Sequence, residues 1–133
     1  MADVTNNTLR ERIDASETRI AKIVAPATTN LYDTLFGGTL LAWMDEVASI
    51  TATRFGRLMF VTVSLERIDF KHPIPSGTIV ELIGRVETLG RTSVKIRIDV
   101  FVEDMLEGHR LKAVTGLFTM VAIDEHKRPT PIL

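Results

Sequence analysis

Between Thr92 and Asp104 the chain reads TSVKIRIDVFVED, and its apolar residues keep strict step. Val94, Ile96, Ile98, Val100 and Val102 fall on one face of an extended chain, with Lys95, Arg97, Asp99 and Glu103 on the other. Alternation this long fits a β-strand that has one face in a core and the other in water. Three further stretches are strand-like and of similar length: MFVTVSLERIDF (59–70), TIVELIGRVETL (78–89) and RLKAVTGLFTMVAID (110–124). The shorter ETRIAKIV (17–24) alternates weakly and suits a first, half-buried strand. The links HPIPSG, LGRTS and EGH carry turn residues and are short, so successive strands are expected to run antiparallel.

One stretch breaks the two-residue period. From Gly38 or Thr39 to about Arg54 the pattern is helical, after a loop, APATTNLYDTLF, rich in turn formers. A strand, one long helix, then four long strands predict an α+β domain whose single helix is covered by one curved antiparallel sheet. At 133 residues the chain has room for one core, and one site is to be sought in it. Residues 1–16 are polar and are expected to form a flexible N-terminal segment, frayed or loosely helical.

Composition removes several classes of function. The net charge is −1 with the basic residues scattered, which leaves no electrostatic footprint for duplex DNA or an anionic membrane. Aromatic content of 6% argues against stacking on single-stranded bases. The absence of cysteine excludes disulfides, thiolate metal sites and cysteine nucleophiles, and fits the reducing cytoplasm, the expected location. MADVTNNTLRERIDASE has no apolar signal region, and no run of ~18 apolar residues occurs to span a bilayer. His72, His109 and His126 lie far apart without ligand spacing, and no G-x-S-x-G occurs. No metal or organic cofactor is expected.

The helix itself holds the anomaly. With Asp45 at zero and about 100° per residue, Leu40, Trp43, Met44, Val47, Ile50 and Arg54 fall on the far side. Trp43 is therefore expected in the core. Gly38, Leu41, Ala42, Ala48, Ser49 and Ala52, almost all small, share Asp45's own stripe. An ordinary solvated face would carry several Lys, Glu or Arg; alanines beside a carboxylate fit an interface or a ligand better. Glu46, about 100° away, reads as an interface or solvent residue. Gly37 and Gly38 at the helix start let a ligand approach backbone N–H groups that have no intrahelical partner.

Three blocks together resemble a known family: N-x-x-x-x-x-F-G-G-x-x-x-x-x-M-D-E at 30–46, VTVSLERIDFKHPIPSG at 61–77 and LGRTSVKIRIDVFVE at 89–103. They are similar to the hotdog-fold acyl-CoA hydrolases, in the branch of the bacterial acyl-CoA thioesterases and brain acyl-CoA hydrolase. The resemblance covers roughly residues 17–125 and leaves a C-terminal tail at 126–133. It implies a hotdog fold, a homodimer whose interface builds two active sites, and further assembly as a trimer of dimers. It implies hydrolysis of fatty acyl-CoA to free acid and coenzyme A, with Asp45 as general base or nucleophile and Asn30 as a second catalytic residue. Amides around Gly37 and Gly38 would polarise the thioester carbonyl, and Arg91, Thr92 and Ser93 would contact the nucleotide end of coenzyme A. A guanidinium beside hydroxyls suits phosphate oxygens. Phe36 would either line the acyl channel or staple the loop into the core. Asp33 stands where the family often has glycine, and aspartate tolerates a left-handed backbone better than most residues. The alternative reading is a non-catalytic acyl-CoA-binding hotdog module.

Overall fold

The alternating strand buries the face its spacing assigns to the core. The computed structural model describes residues 2–133, with side chains from residue 8 onward. In it Val94, Ile96, Ile98 and Val100 are fully buried and Val102 nearly so. The elements in chain order are α1 (Ala2–Ser16), β1 (Thr18–Ile23), a single 3-10 turn at Pro26–Thr28, α2 (Gly37–Gly56), β2 (Met59–Phe70), β3 (Thr78–Leu89), β4 (Ser93–Asp104) and β5 (Arg110–Ile123). The strands form one antiparallel sheet in the order β1-β3-β4-β5-β2. The expected α+β architecture, a long helix against one antiparallel sheet, is the one observed. No helix among the described residues is long and apolar enough to cross a membrane.

The β3–β4 and β4–β5 links are hairpins, but the link after β2 is not. β2 pairs with β5 at one edge, and HPIPSG carries the chain across to β3 on the other side. Pro73 and Pro75 have no N–H to give a ladder, and the link instead pairs with the loop before α2. Leu35 N–H donates to the Ile74 carbonyl at 2.8 Å and Ser76 N–H to that of Asp33 at 2.9 Å. The loop and the helix start are thereby fastened to the end of β2.

Helix α2 lays Leu40, Met44, Val47, Ala48, Thr51, Ala52 and Phe55 on the sheet. Ala48 and Ala52, assigned above to Asp45's groove, are fully buried in the chain's own core, while Gly38 and Ala42 remain exposed. The small residues serve helix-to-sheet approach as much as any groove. Trp43 is half-buried, packed against the core with the Lys22 ammonium 5.0 Å from its ring centroid. Where the helix crosses the sheet, the sheet supplies glycine. A Cβ at Gly84 would stand 2.6 Å from Thr51 Oγ1 and 2.8 Å from Val47 Cγ1.

Both termini pack against the body of the domain. The N-terminal segment is helical: Leu9 and Ile13 pack on the core, and Arg12 donates to the Phe55 carbonyl at 2.6 and 3.2 Å while stacking over the Phe55 ring. Leu9 and Ile13 are one turn apart on one face, too sparse a pattern to announce a docked helix. After a turn at Asp124–Lys127 the tail folds back. Thr130 N–H donates to the Ala122 carbonyl at 2.9 Å, Ile132 N–H to the Arg91 carbonyl at 3.0 Å, and the Ile132 side chain enters the core.

On the outer face Lys95 and Glu66 pair at 3.0 Å, and that hydrogen bond holds the Glu66 carboxyl below its usual range. The two glycines under the helix give a test of the packing. Val47 and Thr51 are β-branched and stiff at χ1, so Gly84→Ala is expected to cost about 1–3 kcal/mol. At Gly116 the new methyl would meet the flexible tips of Ile68 and Met44, and the cost should stay below about 1 kcal/mol. Urea unfolding of the two variants checks the order; equal losses would show that the helix has room over Gly84.

Candidate active site

Asp45 lies in the third turn of α2, half-buried, at the rim where the helix meets edge strand β2. Thr62 on β2 donates its hydroxyl to Asp45 Oδ1 at 2.6 Å, and Met120 Sδ lies 3.3 Å from the same hydroxyl. One carboxylate oxygen is therefore held by the protein. Among the described residues nothing donates to the other, which can accept a proton from water or attack an electrophile. Sequence reasoning passed over Thr62 although it lies in a quoted block. Its signal was a lone hydroxyl in the apolar run MFVTV at the start of a strand expected to cover the helix.

The helix start supplies donors. Phe36 caps α2 without a side-chain hydrogen bond, the first turn carries no acid, and the first backbone bond is Leu40 N–H to the Phe36 carbonyl at 3.0 Å. The amides of Gly37, Gly38 and Thr39 precede that bond and carry the positive end of the helix dipole. Beside Gly37 opens a cavity of about 290 Å³ lined by Leu35, Leu40, Phe70, Ile74 and the polar Lys71 and His72, among others. Phe36 is not among its lining residues and stands 49% exposed, whereas Phe70 lies on the cavity wall.

Asn30 shapes the loop in front of this helix. Its Oδ1 accepts from Tyr32 N–H at 2.9 Å, Thr34 N–H at 3.2 Å and the Thr34 hydroxyl at 3.1 Å. The side-chain oxygen is thus committed to structure, and only the NH₂ group remains to serve a ligand. Asp33 adopts the left-handed backbone, φ 58°, that glycine would take there. Arg91, Thr92 and Ser93 form the β3–β4 turn, closed by Gly90 N–H to the Ser93 carbonyl at 2.7 Å, with Arg91 exposed. His72 reaches the cavity wall, whereas His109 sits with Asp104 and Glu107 on an exposed turn at the end of β4.

Within one chain these parts do not converge. A helix rises about 1.5 Å per residue, so Asp45 stands about 10–12 Å along the axis from the amides of Gly37 and Gly38. Carboxylate and electrophilic amides cannot hold the same atom from one helix.

Residues 32–109 match the thioesterase superfamily. A Zymomonas mobilis protein named an uncharacterized acyl-CoA thioester hydrolase is 38% identical over 118 residues, 89% of this chain and 79% of that protein. A hexameric acyl-CoA thioesterase solved in its apo form superposes with a TM-score of 0.88 at 37% identity, over 90% of this chain and 77% of the other. The acyl-CoA hydrolase of Staphylococcus aureus, solved with butyryl coenzyme A, coenzyme A and coenzyme A disulfide, gives a TM-score of 0.86 at 31% identity, over 90% and 73%. Variants of the Staphylococcus aureus enzyme have been solved in which an asparagine, an aspartate or a threonine is replaced by alanine. The intervals between those three equal the intervals between Asn30, Asp45 and Thr62.

The loop bonds make Asn30 separable into two roles. Asn30→Ala, which strands three donors, is expected to lower stability by about 1–2 kcal/mol, while Asn30→Asp keeps the acceptor and should unfold close to wild type. Chemical denaturation decides it: a neutral Asn30→Ala would show that the loop is shaped elsewhere.

Proposed function

The chain belongs to the thioesterase superfamily, and on that premise we propose that it hydrolyses acyl-CoA thioesters to free acid and coenzyme A, with Asp45 acting on the thioester carbon. The observation that carries the reading is the Asp45 carboxylate held through one oxygen by Thr62 at the rim of the edge strand. In the general-base route the free oxygen takes a proton from water as its oxygen bonds to the carbonyl carbon. In the nucleophilic route Asp45 attacks directly, coenzyme A leaves as thiolate, and water then cleaves the anhydride. Both produce an oxyanion, for which a backbone donor is worth ~3 kcal/mol. A thiol has a pKa of ~8.5, so the thiolate leaves without an obligatory general acid. A site of one carboxylate and a set of amides is chemically sufficient.

The amides would come from a second protomer. β2 is an edge strand exposing Met59, Val61, Val63, Leu65 and Phe70, and its unpaired backbone is a ready partner for another copy of itself. Two-fold pairing there would bring Asp45 of one chain towards Gly37, Gly38 and Asn30 of its partner and close both sites at once. A hexamer, the state named for one solved relative, would be three such dimers. At the far end of the substrate, Arg91, Thr92 and Ser93 would receive the phosphates of coenzyme A.

Thiol release across acyl-CoA chain lengths tests the activity. Asp45→Ala should lower turnover at least about a hundredfold with the assembly intact, and Thr62→Val about tenfold, the value of one hydrogen bond to the carboxylate. A folded, active Asp45→Ala would remove Asp45 from its role, and a wild type that binds acyl-CoA without releasing thiol would make the protein a binding module. For the interface, Val63→Lys sets like charges against each other across the edge. It should convert the assembly to monomers in gel filtration and abolish turnover together; an active monomer would place the whole site in one chain.

A further inference from the structure

Helix α2 ends on Arg57, at φ 52° and ψ 41°, with its N–H donating to the Thr53 carbonyl at 2.7 Å. This left-handed position after a helix is the one glycine fills most often, because a Cβ there is crowded by backbone. An arginine at such a site raises the question of what its side chain does. Capping the helix is not the answer. The Phe55 carbonyl is already taken by Arg12 with two hydrogen bonds, and Arg54 lies in the last turn to oppose the dipole. Among the described residues no carboxylate lies within ion-pair distance of Arg57, and none within that distance of Arg91. The acidic turn that precedes the returning tail is itself committed. Asp124 Oδ1 accepts from the N–H groups of His126 and Arg128, and Glu125 faces His126.

The returning tail brings the two free guanidiniums to the same end of the molecule. Ile132 donates its N–H to the Arg91 carbonyl at 3.0 Å, and its Cγ2 stands 3.5 Å from where a Cβ of Gly56 would lie. Summing bond lengths along that bridge puts the Gly56 Cα and the Arg91 carbonyl within about 12.5 Å of each other. Both arginines are exposed and extend from well-braced backbone, one on a helix cap and one on a closed hairpin turn.

We propose that Arg57 is a second cation for the phosphates of the coenzyme A moiety, acting with Arg91 from the opposite side of the Ile132 bridge. The inference rests on the acyl-CoA reading above and adds to it a residue outside the three sequence blocks. Two guanidiniums approaching a pyrophosphate or ribose phosphate from different elements fix its position better than one, since each presents a planar fork of donors. The strain of a left-handed arginine is then tied to function rather than to folding.

Arg57→Gly separates the two explanations, because glycine suits the backbone while deleting the charge. Its thermal midpoint should equal or exceed that of the wild type, since the left-handed cap is relieved. Its KM for acyl-CoA should rise about five- to tenfold, the size expected for a lost charge-assisted contact, with kcat little changed. KM for the matching acyl-pantetheine thioester, which lacks the nucleotide, should stay at the wild-type value. Arg57→Lys should fall between, keeping the charge without the fork. An unchanged KM for acyl-CoA in Arg57→Gly, beside an active wild type, would overturn the role of Arg57 alone. Equal losses with both substrates would overturn it too, by making Arg57 structural. A wild type inactive on every acyl-CoA would overturn both this inference and the reading it rests on.

Discussion

The close seating of α2 on the sheet is the constraint from which the rest follows. Gly84 and Gly116 remove side chains where Val47, Thr51 and Met44 descend, and so fix both the height and the rotation of the helix. Rotation matters more for function. With Leu40, Met44, Val47, Thr51 and Phe55 turned into the core, Asp45 has only the rim by β2 to occupy, within reach of Thr62. A helix standing higher or turned by one residue would present Glu46 or Met44 there instead.

Edge strand β2 then performs three tasks at once. It closes the sheet over the helix, orients the carboxylate through Thr62, and leaves a backbone edge with an apolar row along it. The third follows from the first, because the strand that returns beside the helix is the last in the sheet. An unpaired apolar edge is a liability for a free monomer, and the separation of Asp45 from the helix-start amides is the gap that the proposed pairing would close. The chemistry asked of such a site is modest: a thioester needs a base or nucleophile and an oxyanion cradle, and its leaving group is already stable.

The ends of the chain serve the same plan. Arg12 closes the helix at Phe55, and Ile132 ties the β3–β4 turn to the helix C-terminus. These contacts brace the end of the molecule remote from Gly37, where Arg57 and Arg91 stand. On the proposed reading the acyl end of the substrate would lie near Gly37 and Phe70 and its nucleotide end near the arginines.

Strand and helix identity were legible in the residues because periodicity is local: the alternation of Val94 to Val102 and the helical spacing after Gly38 each encode which face is buried. Asp45, the paired glycines and the GRTS turn were legible for a similar reason, since each carries its chemistry in adjacent positions, and the resemblance rested on those blocks. Asp33 was readable as a candidate left-handed residue because it stands where the resembling family often has glycine. The partnership of Thr62 with Asp45, the crossing of the β2–β3 link, the docking of α1 and the return of Ile132 were decided only in three dimensions. Each joins residues far apart in the chain, where the geometry depends on how helix and sheet pack. A hydroxyl in an apolar run or a lone isoleucine near the terminus has no local pattern to announce its partner. The sequence by itself determined the elements and the chemical groups; the tertiary structure decided which groups meet, because meeting is a property of packing and not of spacing.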